Sequence, residues 1–146
     1  DIVRDPTRVG EWSHECVAGA WLDGATSARP GARFRGRNRH GLFRWGRRCE
    51  VLHVAPYRLT WRTVPTPLYP DSTEWTIELS TTDTGGETRT RIEQRFRVVK
   101  GTALEPLYAV LVTSHRDRTD ALTGDLRRIG QLAARAGTAR SVAPSS

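Results

Sequence analysis

The sequence predicts an α+β domain, in which an antiparallel β-sheet is followed by one long amphipathic helix. Between residues 16 and 100, short segments alternate polar and apolar side chains and are separated by Gly, Pro and Asp turns. From Gly101 to Gly137, apolar residues instead recur at three- and four-residue steps, which is the period of a helix. The short connections favour an antiparallel order. A sheet with one dry face must cover it, and this helix is long enough to do so.

The elements before the helix are predicted in order along the chain. Ile2–Val3 and Pro6–Val9 predict short helical turns separated at Asp5–Pro6, and Trp12 is expected to pack inward as an anchor. Strands are then predicted over residues 16–22, 32–40, 43–54, 57–64, 73–80 and 87–100. Neither face of the 43–54 segment is cleanly apolar, which predicts a β-bulge there.

The arginines of two strands form rows on one face. The rows consist of Arg33, Arg35, Arg37, Arg39, Arg89, Arg91, Arg95 and Arg97. The net charge of +7 rests on 22 Arg and one Lys, a ratio typical of a GC-rich genome, so it only weakly indicates an anionic partner. Surfaces that bind single strands interleave aromatic side chains with the basic ones, whereas here the aromatics alternate to the other face. The position of the aromatics therefore counts against nucleic-acid binding, which stays open as an alternative to a solvated face.

The helix carries two polar side chains, Tyr108 and His115, on its apolar face. Thr102 and Glu105 have the spacing of a capping box, and Gly137 is expected to end the helix. Beyond it, residues 137–146 are expected to form a flexible tail, which leaves one domain over residues 1–136. Near the other end of the helix, apolar side chains are expected to seal the domain: Leu126, Ile129 and Leu132.

Several classes of protein are disfavoured by the composition. No run of about eighteen apolar residues would span a membrane, and no signal peptide opens the chain, so we expect a soluble, cytoplasmic monomer or homodimer. Cys16 and Cys49 are too few for a disulfide framework and lack zinc-site spacing. Because the four histidines are scattered, we expect no metal and no cofactor.

Several segments together resemble a known family. They are Asp5-Pro6-Thr7-Arg8, Glu11-Trp12-Ser13, the strand Gly31 to Arg39 (GARFRGRNR), and Tyr57-Arg58-Leu59-Thr60-Trp61. The chain resembles the polyketide cyclase/dehydrase and lipid-transport-like family of the START-like superfamily (SRPBCC, birch-pollen-allergen-like) over about residues 1–136.

The resemblance implies a helix-grip fold, in which a curved antiparallel sheet of six to seven strands wraps around the long C-terminal helix. It also implies a cavity between sheet and helix that holds a hydrophobic small molecule. Members of the family begin with a sheet strand followed by a helix, and this chain begins at what matches the end of that helix. We therefore expect that the N-terminal strand is missing from the sequence or is supplied by another chain.

Polar residues on the inner face are the candidates for chemistry, and ordinary core packing is the alternative for each. We expect His115 to pass protons, Tyr108 to donate to a ligand carbonyl, and Asn38 to orient a carbonyl. The expected ligand-binding residues are Phe34, Trp45, Trp61, Trp75, Gln94 and Leu111. The phase of its strand also leads us to expect Arg47 to point inward, and burial of its charge would require Glu15, Glu50 or an anionic ligand.

Two functions follow from this cavity. The first is binding of a polyketide- or lipid-like molecule with cyclisation or dehydration, which would make the chain a polyketide cyclase/dehydratase-like enzyme. The second is a carrier or sensor that binds a lipid or metabolite without chemistry. Because the sequence presents no tight acid–base pair, the two hypotheses stay close.

Overall fold

The computed structural model describes residues 2–84, 87–101 and 119–142. Two 3-10 helices, η1 and η2, precede six strands, β1 to β6, and a final helix, α1. The helices before the sheet are η1 (Ile2–Arg4) and η2 (Pro6–Glu11). The strands are β1 (Cys16–Trp21), β2 (Arg33–His40), β3 (Phe43–Ala55), β4 (Arg58–Thr63), β5 (Ser72–Thr84) and β6 (Glu87–Lys100), and the final helix is α1 (Thr119–Val142).

The strands form one sheet in sequence order, and every neighbouring pair is antiparallel. This confirms the predicted antiparallel meander and the α+β class. The helix α1 continues past Gly137 to Val142, so the prediction that Gly137 ends it is wrong. A glycine inside a helix costs about 1 kcal/mol relative to alanine, but it does not by itself force the helix to end. The capping box predicted at Thr102 and Glu105 lies outside the described residues.

The bulge predicted in β3 is present, and it changes which side chains face inward. The register between β3 and β4 shifts between Val51 and His53, so Leu52 is the extra residue. A shift of one residue reverses the faces of a strand. As a result His53, which strict alternation places beside Val51, is exposed, and Val54 packs against the cluster that contains Val51.

Two apolar clusters hold the elements together. One joins Trp12, Ile77 of β5 and Ile129 of α1, with Leu126 and Leu132 packed against it. This confirms that Trp12 packs inward, and it shows that the apolar face of α1 packs against the sheet. The other cluster contains Val51 of β3, Leu59 of β4 and Ala32, which directly precedes β2.

The outer face of the sheet carries the two arginine rows. All eight of their side chains are exposed, as the strict alternation of β2 and β6 predicts. The aromatic side chains Phe34, Trp61 and Trp75 do not share this exposed face but border the cavity described below.

Candidate functional site

A cavity of about 690 Å³ lies against the inner face of the sheet. All six strands contribute to its lining, together with the segment that contains His14 and with Leu122 and Asp125 of α1. A volume of this size accommodates a small organic molecule.

The walls of the cavity are mainly apolar and include several aromatic side chains. The predicted ligand-binding residues Phe34, Trp45, Trp61 and Trp75 all border it. Trp61 and Trp75 are stacked, with ring centroids 6.4 Å apart and planes inclined by 12°. Phe96 extends this wall, with its ring centroid 5.3 Å from that of Trp75. Such a wall favours a flat apolar ligand, since stacked aromatic surfaces gain from area burial and ring contact.

Two of the predicted polar residues also reach the cavity, namely Asn38 of β2 and Gln94 of β6. The Gln94 Oε1 atom is buried and has no hydrogen-bond partner among the described residues. A buried acceptor without a partner is costly, so a ligand that donates a hydrogen bond there would relieve the cost. The other predicted site residues, Tyr108, Leu111 and His115, lie outside the described residues.

Arg47 does point inward, but its partner differs from those predicted. Its Nη1 donates to both carboxylate oxygens of Asp71, at 3.0 and 2.8 Å, and its Nη2 donates to the Asp71 main-chain oxygen at 3.0 Å. Its guanidinium also lies over the Tyr69 ring, 5.3 Å from the centroid. The proposed partner Glu50 instead pairs with Arg62 at 3.1 Å. All three of Arg47, Tyr69 and Asp71 border the cavity, and their contacts join the segment before β5 to β3.

A histidine–aspartate pair also borders the cavity, and sequence reasoning missed it. His14 Nδ1 lies 2.7 Å from Asp125 Oδ2, and the His14 main-chain N–H donates to Asp125 Oδ1 at 2.8 Å. Arg128 Nη1 donates to the same Oδ1 at 3.2 Å and to the main-chain oxygen of Trp12 at 3.2 Å. The pair thus connects the segment between η2 and β1 to α1 across 111 residues of sequence.

Asp125 sits in an environment that both opposes and supports its charge. Asp125 is 2% exposed, and this burial raises the pKa of its carboxyl above the ordinary value. The hydrogen bonds from His14 and the charge of Arg128 act in the opposite direction and lower that pKa. A carboxylate only accepts, so the short contact is assigned as Nδ1–H donating to Oδ2. That leaves His14 Nε2 as the nitrogen with a free lone pair in the neutral ring.

The sequence did contain one signal for Asp125. It lies three residues after Leu122 and four before Ile129, which are spacings that place all three on the same face of a helix. An acidic residue on an apolar face requires a partner, since an unpaired buried charge is costly. Its partner His14 is far away in sequence and gave no local pattern.

The two cysteines border the cavity as thiols with little reactivity. Both are free, and Cys49 is buried. Burial raises the pKa of Cys16 to about 11 and that of Cys49 to about 12. The thiolate is the nucleophilic form, so neither side chain is suited to covalent chemistry near neutral pH.

Within residues 2–84, 87–101 and 119–142, no group of three or more His, Cys, Asp or Glu side chains is arranged to hold a metal ion. No helix in this described part of the chain combines the length and apolar character needed to cross a membrane.

No protein-family model matches the chain, and no curated protein matches it significantly.

Proposed function

We propose that this chain binds a hydrophobic, polyketide- or lipid-like small molecule in the cavity between the sheet and the C-terminal helix. The observation that carries the proposal is the cavity of about 690 Å³ with aromatic walls and a few buried polar atoms. Mostly apolar walls with a small number of polar groups that fix orientation are typical of sites for small organic molecules.

The proposal includes membership of the START-like superfamily and its helix-grip architecture. Support comes from the order of elements, since short N-terminal helices, a six-stranded antiparallel meander and a C-terminal helix follow one another. Further support comes from α1, whose Ile129 packs with Ile77 of the sheet while its Leu122 and Asp125 border the cavity.

The polar atoms of the cavity indicate what the ligand carries besides apolar surface. Gln94 Oε1 requires a donor, such as a hydroxyl or an N–H group. Arg47 offers a guanidinium whose position is fixed by Asp71, which suits a carbonyl, phenolate or carboxylate oxygen. A flat molecule with oxygen substituents at its edges satisfies both and stacks on the Trp75 side of the wall.

Cyclisation or dehydration of the bound molecule is the second candidate function. It is favoured by the His14–Asp125 pair, because such reactions need a base for enolisation and an acid for loss of water. The alternative is a carrier or sensor that binds without chemistry, and it requires nothing beyond the cavity itself.

Binding is tested with the uncharged fluorescent probe N-phenyl-1-naphthylamine. We expect saturable binding by the full chain, with enhanced and blue-shifted emission. Asn38→Trp places a large side chain in the cavity and is expected to weaken the affinity about 10-fold or more, since it removes volume that the probe needs.

Arg39→Trp is the matched control, because Arg39 follows Asn38 in β2 but is exposed on the opposite face. The affinity of this variant is expected to equal that of the unaltered chain. Absence of saturable binding in the unaltered chain, or equal weakening by both substitutions, would contradict the proposed function. Native mass spectrometry of gently purified protein would then identify any ligand it retains.

A further inference from the structure

The His14–Asp125 pair has the geometry of an acid–base centre directed at the cavity. Asp125 Oδ2 lies 2.7 Å from His14 Nδ1, and Asp125 Oδ1 accepts from the main-chain N–H of His14 itself at 2.8 Å, so both the tautomer and the orientation of the imidazole are fixed. This is the arrangement by which a buried aspartate prepares a histidine for proton transfer. Both residues border the cavity, and the His14 side chain is 23% exposed.

The surroundings of His14 supply the charges that a proton transfer needs. Among the residues that the structure describes, the charged groups that face it are Asp125, Glu15 and, through the same carboxylate, Arg128. Glu15 Oε2 lies 3.9 Å from His14 Nε2, which is beyond hydrogen-bond distance, and the His14 side chain borders the cavity. An imidazolium formed here would be stabilised by the Asp125 carboxylate, which is 3% exposed and therefore poorly screened by water.

We propose that His14 is a catalytic base for a carbon acid bound in the cavity and that Asp125 is its positioning residue. The inference rests on the proposed function, because the substrate must occupy the cavity. The substrate class is an uncharged molecule with an acidic C–H next to a carbonyl. In the step, the C–H bond breaks, the proton moves to Nε2, and the electron pair forms the enolate. The imidazolium then returns the proton to another atom of the same molecule, so the step needs no co-reactant.

The alternative reading is that the pair only attaches α1 to the segment after η2. A purely structural pair would contribute to stability without giving His14 the ability to remove a proton from a molecule in the cavity. The two readings are therefore separated by a probe reaction that needs a base in an apolar cavity and nothing else.

The probe is the ring opening of 5-nitro-1,2-benzisoxazole by the full chain. The base removes the C3 proton, the C–H electrons complete a nitrile, the N–O bond breaks, and the coloured phenolate is released. We expect turnover faster than that by an equal concentration of free imidazole by a factor of about 100, which lies within the range for a positioned general base. The rate is measured as a function of pH.

Two substitutions assign the roles. His14→Gln is expected to lower the rate at least 10-fold. Asp125→Asn keeps the shape but removes the negative charge that stabilises the imidazolium, so the midpoint of its pH–rate profile should move to lower pH. If a group other than His14 were the base, that midpoint would not respond to the change at Asp125. The matched control is His53→Gln, since His53 is exposed and does not border the cavity, and its rate should equal that of the unaltered chain.

The binding assay with N-phenyl-1-naphthylamine separates failure of this inference from failure of the proposed function. Probe binding retained in His14→Gln together with loss of ring opening supports the inference. Probe binding with a ring-opening rate no higher than that of free imidazole, or an undiminished rate in His14→Gln, overturns the inference alone. Absence of probe binding in the unaltered chain overturns both. If His14→Gln does not unfold cooperatively, the pH–rate profiles of the unaltered chain and Asp125→Asn decide the outcome.

Discussion

Arg47 shows how one charged side chain can be accommodated beside an apolar cavity. Its side chain is 15% exposed, and a charge so far removed from water is tolerated only with close partners. Asp71 provides both carboxylate oxygens and its main-chain oxygen, and Tyr69 provides the face of its ring. Because these contacts fix the guanidinium, Arg47 can present an oriented donor to a ligand without a cost for ordering its long side chain.

The first prediction concerns how fast the thiols of Cys16 and Cys49 are alkylated. With the pKa of Cys16 raised to about 11, its thiolate fraction at pH 8 is about 100-fold lower than that of a thiol with a pKa of 9.0. We therefore expect alkylation of the native chain by iodoacetamide at pH 8 to be at least 100-fold slower than that of free cysteine, as followed by mass spectrometry.

The sign of the pH dependence follows from the same shifts. A thiol whose folded-state pKa is raised stabilises the folded state below its ordinary pKa, and that contribution is lost as pH rises through the folded-state value. Alkylation should therefore accelerate steeply between pH 9 and about 11, the folded-state pKa of Cys16. The control is the chain unfolded in guanidinium chloride, where both cysteines should react at the ordinary rate. Rapid alkylation of the native chain at pH 8 would contradict the burial of the two thiols.

At the scale of elements, η2 lies directly against β1, and two glycines permit that approach. A Cβ atom on Gly19 would overlap the main-chain oxygen of Pro6 and lie 2.7 Å from its carbonyl carbon. A Cβ atom on Gly10 would overlap the main-chain oxygen of Val17 and lie 3.1 Å from its carbonyl carbon. Both contacts are with backbone, which cannot rotate away as a side chain can. The position of η2, and hence of the segment that carries His14, depends on this close packing.

The second prediction tests this packing with Gly19→Ala. Because the added methyl group must displace the backbone of η2, we expect the free energy of unfolding to fall by about 2 kcal/mol, within the range for overpacked sites. Urea unfolding followed by tryptophan fluorescence measures the change.

Gly46→Ala is the matched control for Gly19→Ala. Its added Cβ would lie 3.0 Å from Arg35 Nε, and Arg35 is an exposed side chain that can move. The free energy of unfolding of this variant should therefore change by less than about 0.5 kcal/mol, or rise slightly because glycine is more flexible in the unfolded chain. Equal losses in the two variants would show that the contact with η2 is not what makes position 19 sensitive.

At the scale of the whole molecule, the two faces of the sheet differ in charge and in shape. The outer face carries eight exposed arginines, and the inner face borders the cavity with its aromatic wall. A basic face without interleaved aromatics can attract an anionic polymer by charge but offers no rings on which bases would stack.

The third prediction follows from this separation. A single-stranded DNA of about 20 nucleotides should bind weakly at low ionic strength, and its affinity should fall steeply with salt because binding depends on counterion release. It should not displace N-phenyl-1-naphthylamine, since the two would occupy opposite faces of the sheet. Displacement of the probe by the oligonucleotide, or an affinity that does not change with salt, would contradict this division. Fluorescence anisotropy of a labelled oligonucleotide provides the measurement, and Arg39→Gln, which removes one charge from an arginine row without adding a ring, should lower its affinity.

The sequence by itself determined the elements and the faces of this protein. Alternation with period two assigned the strands, the exposed row of Arg33, Arg35, Arg37 and Arg39, and the inward Phe34 and Asn38. These features are local, because a strand or helix period repeats within a few residues. For the same reason, the inward positions of Trp61 and Trp75 in the wall of the cavity were predictable. Tyr108, Leu111 and His115 lie outside the described residues and stay predictions.

Only the tertiary structure decided which distant residues meet. His14 and Asp125 are 111 residues apart in sequence, and Arg47 and Asp71 are 24 apart. Their contacts depend on how η2, the sheet and α1 are arranged in three dimensions, which no short pattern encodes. The bulge at Leu52 acts in the same way, since one extra residue moved His53 to the exposed side. The walls of the cavity were thus set by local periodicity, and the meeting of His14 with Asp125 by long-range packing.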